Sequence, residues 1–229
     1  PTKTEQSDLF QAMYGRNGEC PMVVVAPATP SDCFNVLFEA CKIALEHMIP
    51  VMVLSDGYVA NGSEPWMIPK VDDLPQIKVT KATNPEDFMP YTHAEGTVAR
   101  PWATPGTPGL EHRIGGLEKE NQTGNVNYDP DNHHYMNIHR QNKVDAIANY
   151  IPEAKAYGND SGELLVLGWG GTHGAIRSSV DRAQKAGHSV SHLHLRHINP
   201  FPKNLGEVLS NYKKVLIPEL NLGQLSTMI

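Results

Sequence analysis

The clearest hydrophobic pattern lies in the last third of the chain. A continuous apolar run, Leu-Leu-Val-Leu at residues 164–167, leads into a glycine-rich turn at 168–174. Such a run predicts a strand that is buried on both faces of a parallel sheet. Helical spacing follows at 176–186, and further strands are predicted at 190–195 and 214–218. The pattern therefore predicts a βαβαβ unit whose helices cross between parallel strands.

The first third of the chain shows a similar alternation. Apolar strands are predicted at 22–26 and 51–54, and the residues 32–48 between them have the apolar spacing of an amphipathic helix. A helix is also predicted at 2–13, because a Ser/Thr residue followed by Glu or Asp resembles a helix start. The predicted fold class is therefore α/β, with two parallel-sheet blocks.

A long segment without clear periodicity, residues 60–142, separates the two blocks. It is rich in Pro, Gly, Asn, Asp and His, and irregular segments of this length inside a compact protein are commonly functional loops or crossovers. Its tryptophan, histidine and tyrosine residues argue against disorder. A helix at 141–150 is predicted to lead into the second block.

Composition excludes several classes of function. The formal net charge is −6 without a basic stripe, so nucleic acid is not an expected partner. The apolar runs fall far short of the roughly 20 residues of a membrane-spanning helix. Three cysteines without a Cys-x-x-Cys spacing argue against a disulfide framework or an iron–sulfur cluster in this chain, and a cytoplasmic location is expected. Because the chain starts at Pro1 and stops inside a predicted helix, we expect it to be part of a longer subunit.

The glycine-rich turn raises the question of a nucleotide site. A dinucleotide-binding turn has the pattern Gly-x-Gly-x-x-Gly, but His173 stands at the third glycine position and Gly174 comes one residue late. The second strand also runs into Arg196 and His197, where an acidic residue would bind a ribose hydroxyl. The pattern favours a structural turn, while a nicotinamide-dependent dehydrogenase stays open as an alternative.

The histidines are better interpreted as structural or solvent-exposed residues than as metal ligands. His192 and His194 alternate with leucines, as one polar face of a strand would. His133 and His134 are adjacent in the irregular segment and lack the spacing that places two ligands on one helix face. His112, with Glu111 and Glu118, could act in acid–base chemistry, but a solvated cluster is the simpler interpretation. We predict no metal site in this chain.

Several segments, taken together and in order, resemble the alpha subunit of 2-oxoacid:ferredoxin oxidoreductases, and most of all the 2-oxoglutarate-using type. The resembling segments are Pro-Thr-Lys-Thr-Glu-Gln-Ser-Asp-Leu at 1–9, Tyr-Gly-Arg-Asn-Gly-Glu at 14–19, Val-Val-Ala-Pro at 24–27 before Asp-Cys-Phe at 32–34, Pro-Val-Met-Val-Leu-Ser-Asp at 50–56, Gly-Leu-Glu-His at 109–112 and Asp-Asn-His-His at 131–134. The resemblance covers essentially the whole chain.

The resemblance implies a fold and a domain division. Residues 1–92 would be the C-terminal part of a thiamin-diphosphate pyrimidine-binding domain, and 93–150 a loop-rich connecting and active-site segment. Residues 151–229 would be a truncated transketolase-C-terminal-like domain. The implied activity is oxidative decarboxylation of a 2-oxoacid, most of all 2-oxoglutarate, to an acyl-CoA with electrons passing to ferredoxin.

The resemblance also implies cofactors and partners. Thiamin diphosphate with Mg²⁺ and an iron–sulfur cluster would be bound mainly by the beta subunit, and none is expected in this chain alone, which would be inactive. The implied partners are the beta subunit, ferredoxin, coenzyme A and the 2-oxoacid. A glutamate activates the cofactor in this family, but the resemblance puts that residue upstream of this chain, so Glu5 is interpreted as a helix-start residue.

The implied substrate-binding residues are Arg100 and Thr104, and no catalytic residue is assigned. Arg100 ends a segment similar to the family's Gly-x-x-x-Arg, whose arginine holds the substrate carboxylate, and a planar guanidinium suits that group. The family's Pro-Gly follows its arginine more closely than Pro105-Gly106 follows Arg100. A second carboxylate would need a second cation, and either Arg113 or Arg140 could supply it. Pyruvate and branched 2-oxoacids remain open as substrates, and so does a non-catalytic module that docks a partner subunit.

Overall fold

The computed structural model describes residues 5–93 and 98–229. Its helices are α1 (Leu9–Tyr14), α2 (Asp32–His47), α3 (Gly57–Asn61), α4 (Pro130–Asp145), α5 (His173–Lys185), α6 (Leu205–Ser210) and α7 (Gln224–Met228). Its strands are β1 (Val23–Val25), β2 (Val51–Val53), β3 (Gly162–Trp169), β4 (Val190–Leu195), β5 (His197–Asn199) and β6 (Tyr212–Leu216). Short 3₁₀ turns occupy Val71–Asp73, Ala146–Asn149 and Gly170–Thr172.

The strands form two three-stranded sheets, and both predicted parallel pairs are confirmed. In the first sheet β1 runs parallel to β2, with Val23 opposite Val51. In the second sheet β3 lies in the middle, parallel to β4 on one side and to β6 on the other. The α/β class predicted from the sequence is therefore correct.

One strand pairing was not predicted. Strand β5 comes after β4 in the chain, yet it joins the first sheet, antiparallel to β1, with Val25 opposite His197. The chain thus leaves the second sheet at Arg196, whose carbonyl accepts a hydrogen bond from the amide of Ala26 at 2.8 Å. As a result, the two sheets are joined by backbone hydrogen bonds.

The side chains of β1 explain why this strand is uniformly apolar. Val24 and Ala26 point into a core that also contains Leu165 and Leu193 of the second sheet. Val23 and Val25 point to the opposite face, where α2 and the end of α4 cover them. Full burial of a valine or leucine side chain stabilises the fold by about 1.5–3 kcal/mol.

Strand β3 is buried in the same two-sided way. Leu165, Leu167 and Trp169 face the core that the two sheets share. Leu164 and Val166 face the other side, against α5. The continuous apolar run at 164–167 therefore meets the expectation of a central strand that is covered on both faces.

Several predicted helices have different bounds, and α5 begins at His173, three residues before its predicted start. Helix α1 begins only at Leu9, and residues 5–8 are not helical, so the predicted start was wrong in the described part of that range. The helix predicted at 141–150 is in fact α4, which begins eleven residues earlier at Pro130 and is followed by a 3₁₀ turn. His133 and His134 consequently lie on a helix rather than in a loop.

Several contacts anchor the irregular segment between α3 and α4 to the first block. The indole Nε1 of Trp102 donates a hydrogen bond to the carbonyl of Leu45 at 2.7 Å. The amide of Trp102 donates to the carbonyl of Thr80 at 2.8 Å, next to the bridge between Lys81 and Trp102. These bonds hold the loop that carries Arg100 beside the end of α2.

Candidate functional site

A cavity of about 580 Å³ lies where the irregular segment meets the first sheet. It opens at the amino ends of β1 and β2, because Cys20–Pro21 and Met48–Pro50, which precede these strands, form one wall. The loop residues Gly115–Lys119 and one face of α4 form the others. The volume falls in the range of about 300–1,000 Å³ that is common for small-molecule sites.

Arg100, the predicted substrate-binding residue, lines this cavity. Its guanidinium carbon lies 4.0 Å from the ring centroid of Tyr91, and Nη1 donates a hydrogen bond to the carbonyl of Pro90 at 3.3 Å. A guanidinium stacked on an aromatic ring keeps a defined direction while its other N–H groups stay available. Gly96, which begins the Gly-x-x-x-Arg segment, lies outside the described residues.

Helix α4 presents a basic face to the cavity. Met136, His139, Arg140 and Lys143 line it, and their spacing places them on one side of the helix. The helix begins with a cap in which the Asp129 side chain accepts hydrogen bonds from the amides of Asp131 and Asn132. The cap and the following proline fix where the helix starts, and hence which residues face the cavity.

The positive charges of the cavity are only partly neutralised. Both carboxylate oxygens of Glu118 are engaged, Oε1 with Arg140 at 3.2 Å and Oε2 with His133. Lys119 is buried and donates to the carbonyls of Gly115 and Leu117 at 2.6 and 2.8 Å. Neither Arg100 nor Lys143 has an ion pair with a carboxylate of the described residues. The cavity can therefore attract a small anion.

The electrostatic consequence is visible at Lys143 and His139. Burial, and next the positive charge of Arg100, lowers the pKa of Lys143 to about 8. Burial also lowers the pKa of His139, with smaller effects from neighbouring cations that include His93 and Lys143. A cation whose pKa falls in this way gains from a bound anion, because the anion favours its charged form.

The other residues singled out in the sequence do not meet Arg100 here. Thr104 is exposed, is not among the described residues that line the cavity, and accepts a hydrogen bond from the amide of Thr107 through its carbonyl. Arg113 is exposed, whereas Arg140 lines the cavity. His112 packs on Phe88 and its Nδ1 bonds to the Leu110 carbonyl, so it does not form an acid–base group with Glu118.

A second crevice, of about 470 Å³, lies at the carboxyl ends of β2 and β3, the edge where parallel sheets commonly bind ligands. The glycine turn after β3 forms part of its wall. There the amide of Gly171 donates a hydrogen bond to Oδ2 of Asp56 at 2.8 Å. Gln6 Nε2 donates to the carbonyl of Trp169 at 2.7 Å. The turn thus already holds an anionic group of this chain, which argues against its use as a dinucleotide cradle.

The histidine-bearing face of β4 is buried, which the sequence did not predict. His192 is 2% exposed and lies with His194 beneath His173, with ring centroids 4.8–5.8 Å apart. Burial is the main cause that lowers the pKa of His192 to about 4 and that of His194 to about 3. Among the residues that the structure describes, no group of three His, Cys, Asp or Glu side chains has the geometry to hold a metal ion.

The structure also bears on membrane insertion. Among the helices within 5–93 and 98–229, none combines the length and the apolar character that crossing a bilayer would require.

Comparison with protein families gives two matches along the chain. The model described as "Pyruvate flavodoxin/ferredoxin oxidoreductase, thiamine diP-bdg" matches residues 1–129. The model described as "Pyruvate:ferredoxin oxidoreductase core domain II" matches residues 162–229. The first match covers the cavity except for the face of α4, and the second covers β3 to α7.

Individual proteins show the same similarity. The 2-oxoglutarate oxidoreductase subunit KorA of Mycobacterium tuberculosis is 53% identical over 230 aligned positions, which cover 100% of this chain and 35% of that protein. The 2-oxoglutarate synthase subunit KorA of Methanothermobacter thermautotrophicus is 26% identical, over 98% of this chain and 59% of its own length.

A solved structure is similar over the whole chain. It is the 2-oxoglutarate:ferredoxin oxidoreductase from Magnetococcus marinus with 2-oxoglutarate, coenzyme A and succinyl-CoA bound. The TM-score is 0.91 at 32% identity, over 100% of this chain and 40% of that one. The present chain thus spans between about a third and three fifths of the length of these relatives.

Proposed function

Because the chain belongs to the pyruvate flavodoxin/ferredoxin oxidoreductase family, we propose that it is part of the alpha subunit of a thiamin-diphosphate-dependent 2-oxoacid oxidoreductase. The 53% identity to a 2-oxoglutarate oxidoreductase subunit over the entire chain is the observation that carries this proposal. The substrate proposed first is 2-oxoglutarate. The reaction releases the substrate carboxylate as CO₂, transfers the acyl group to coenzyme A and passes the electrons to ferredoxin.

The role of this chain's own residues in that reaction is to hold the substrate. We propose that Arg100 binds the 1-carboxylate of the 2-oxoacid with two parallel N–H···O bonds. Support comes from its place in a cavity of suitable volume and from the absence of a carboxylate partner among the described residues. Thr104 is kept as a second proposed substrate contact, and it would have to move to reach the cavity.

The cofactors are proposed to lie mainly in a partner subunit. The support for this is the sequence resemblance, in which the diphosphate and its magnesium ion belong mainly to the beta subunit. An iron–sulfur cluster needs several cysteine thiolates together, and the three cysteines do not form such a group in the described part of the chain. When bound, thiamin diphosphate would supply a carbanion for the keto carbon and an electron sink. We infer a complex with a beta subunit and ferredoxin, located in the cytoplasm.

The proposal is tested by assaying the full-length alpha subunit together with its partner subunit. With 2-oxoglutarate, coenzyme A and thiamin diphosphate, the complex is expected to reduce ferredoxin and form an acyl-CoA. Omission of coenzyme A or of thiamin diphosphate serves as the control and should abolish product formation. A complex that reduces nicotinamide with a hydroxy acid, but forms no acyl-CoA from any 2-oxoacid, would overturn the proposal.

A further inference from the structure

Like Arg100, Lys143 has no carboxylate partner among the described residues, and its ammonium group is bound less fully than that of Lys119. Arg140 is paired with Glu118, and Lys119 donates two hydrogen bonds to backbone carbonyls. Lys143 donates a hydrogen bond to the carbonyl of Met48 at 2.7 Å, and no carboxylate of a described residue lies within ion-pair distance. Its ammonium group thus keeps donors for another acceptor.

The surroundings of Lys143 disfavour its charged form. It lies on the face of α4 that packs towards the first block, one turn from His139. The positive charge of Arg100 is near enough to act on its pKa. Burial of an ammonium beside a guanidinium disfavours the charged form, and the lowered pKa of Lys143 agrees with this. An apolar side chain would fill the same place at lower cost.

Charge and volume together indicate the kind of anion. Arg100 and Lys143 stand on different elements, the irregular loop and α4, and both line the cavity of about 580 Å³. A ligand with one carboxylate can satisfy one of them and leaves the other unpaired. A ligand with a carboxylate at each end can satisfy both.

We propose that Lys143 binds the distal carboxylate of a dicarboxylic 2-oxoacid whose 1-carboxylate is held by Arg100. Lys143 is then the residue that selects dicarboxylic over monocarboxylic 2-oxoacids. This inference rests on the proposed function and on the assignment of Arg100 to the substrate.

The test measures substrate selectivity in the full-length complex. Lys143→Met keeps the length of the side chain and removes its charge. Loss of a hydrogen bond to a charged group corresponds to about a ten- to hundredfold change. The ratio of kcat/KM for 2-oxoglutarate to kcat/KM for 2-oxobutyrate is therefore expected to fall by that factor. Lys185→Met, which removes an exposed lysine near the end of α5, should leave the ratio unchanged.

A pH profile gives a second readout that does not need the monocarboxylic substrate. With 2-oxoglutarate, kcat/KM should fall as pH rises through about 8, because Lys143 loses its proton in the free enzyme. This step should be absent in Lys143→Met. The charged and titratable groups that share the cavity or act on Lys143 are unchanged in that variant: Glu19, His47, Arg100, Glu118, Lys119, His139 and Arg140.

The outcomes separate the two proposals. A Lys143→Met complex that oxidises 2-oxoglutarate with an unchanged selectivity ratio and an unchanged pH profile would overturn the role of Lys143 and leave the proposed function intact. A wild-type complex that oxidises neither 2-oxoacid would overturn the proposed function, and this inference would fall with it.

Discussion

The backbone amide of Gly171 donates a hydrogen bond of 2.8 Å to Oδ2 of Asp56, which lies 115 residues earlier in the chain. The other oxygen of the same carboxylate, Oδ1, accepts hydrogen bonds from the amides of Tyr58 and Val59 and thereby caps α3. One side chain thus ties the end of β2 to the turn after β3. The two blocks are joined at the edge where their parallel strands end.

This relationship requires glycine at position 171. A Cβ atom built there would lie 2.2 Å from Oδ2 of Asp56, too close for any real contact. Gly171→Ala is therefore expected to displace the carboxylate and to cost on the order of 2–3 kcal/mol of the free energy of unfolding, as loss of a hydrogen bond to a charged group does. Chemical denaturation of the full-length subunit measures this change.

Gly174→Ala is the matched control for this experiment. Gly174 lies three residues further along, inside α5, and a Cβ there would meet nothing within 4 Å. Because alanine favours a helix over glycine, this variant should be equally or more stable. If the two alanine variants had the same stability, the close approach of Asp56 would not be what constrains the turn.

The same hydrogen bond leads to a prediction about nucleotides. Since the Gly171 amide is already bound to Asp56, the turn has no free donor at that position for a pyrophosphate. The chain should bind neither NADH nor thiamin diphosphate tightly without its partner subunit. Titration calorimetry measures both. Micromolar binding of NADH would favour a dehydrogenase, and micromolar binding of thiamin diphosphate would show that the cofactor site lies in this chain.

The buried histidines predict sensitivity to acid. The pKa of His194 is lowered to about 3 and that of His192 to about 4, whereas both should titrate near 6.5 in the unfolded chain. Above that pH both states are neutral and stability is unaffected. As pH falls below about 6.5 the unfolded state binds protons first, so stability is lost progressively down to the folded pKa values.

His194→Leu tests this prediction. Both ring nitrogens of His194 are buried and have no hydrogen-bond partner among the described residues, so removal of the ring sacrifices no hydrogen bond. The variant should lose less stability than the wild type between pH 6.5 and pH 4. His188→Leu, at an exposed position, should follow the wild type. An unchanged acid dependence in His194→Leu would mean that other groups govern acid unfolding.

Hydrophobic pattern predicted β1 and β3 well because each of these two strands has buried apolar residues on both faces. The run at 164–167 could hardly be exposed on either side, and the structure covers both. Strand β5 was not predicted because it lacks such a pattern. Its residues His197, Ile198 and Asn199 form no apolar run, and they become a strand only by pairing with β1. The local periodicity of a sequence does not predict pairing between segments so distant in the chain.

Helix α4 was placed too late because the face it turns inward is basic. Apart from Met136, the cavity-facing residues are His139, Arg140 and Lys143, so no apolar stripe marks the helix. Its start was nevertheless visible in the sequence as Asp129-Pro130, a cap followed by proline at the first helical position. The basic face thus hid the helix from hydrophobic analysis, whereas the capping residues mark its start.

The site itself could be predicted only in part. Arg100 was singled out through a resemblance, and its role stays a prediction, as does the division of the chain at residues 92–93 and 150–151. Lys143 was not singled out, because a lysine in a polar helix gives no sign of burial until the fold is known. The partnership of Gly171 with Asp56 was likewise beyond the sequence, since it depends on how the two blocks meet.

The central claim is that Arg100 holds the carboxylate of the 2-oxoacid, and the most direct test is kcat/KM of the full-length complex with Arg100 replaced. Arg100→Lys keeps the charge but loses the two-point fork, so kcat/KM for 2-oxoglutarate should fall about ten- to hundredfold while thermal stability is unchanged. Arg182→Lys, at an exposed position of α5, is the matched control and should behave as wild type. An Arg100→Ala complex that retains more than about half of the wild-type kcat/KM would contradict the claim.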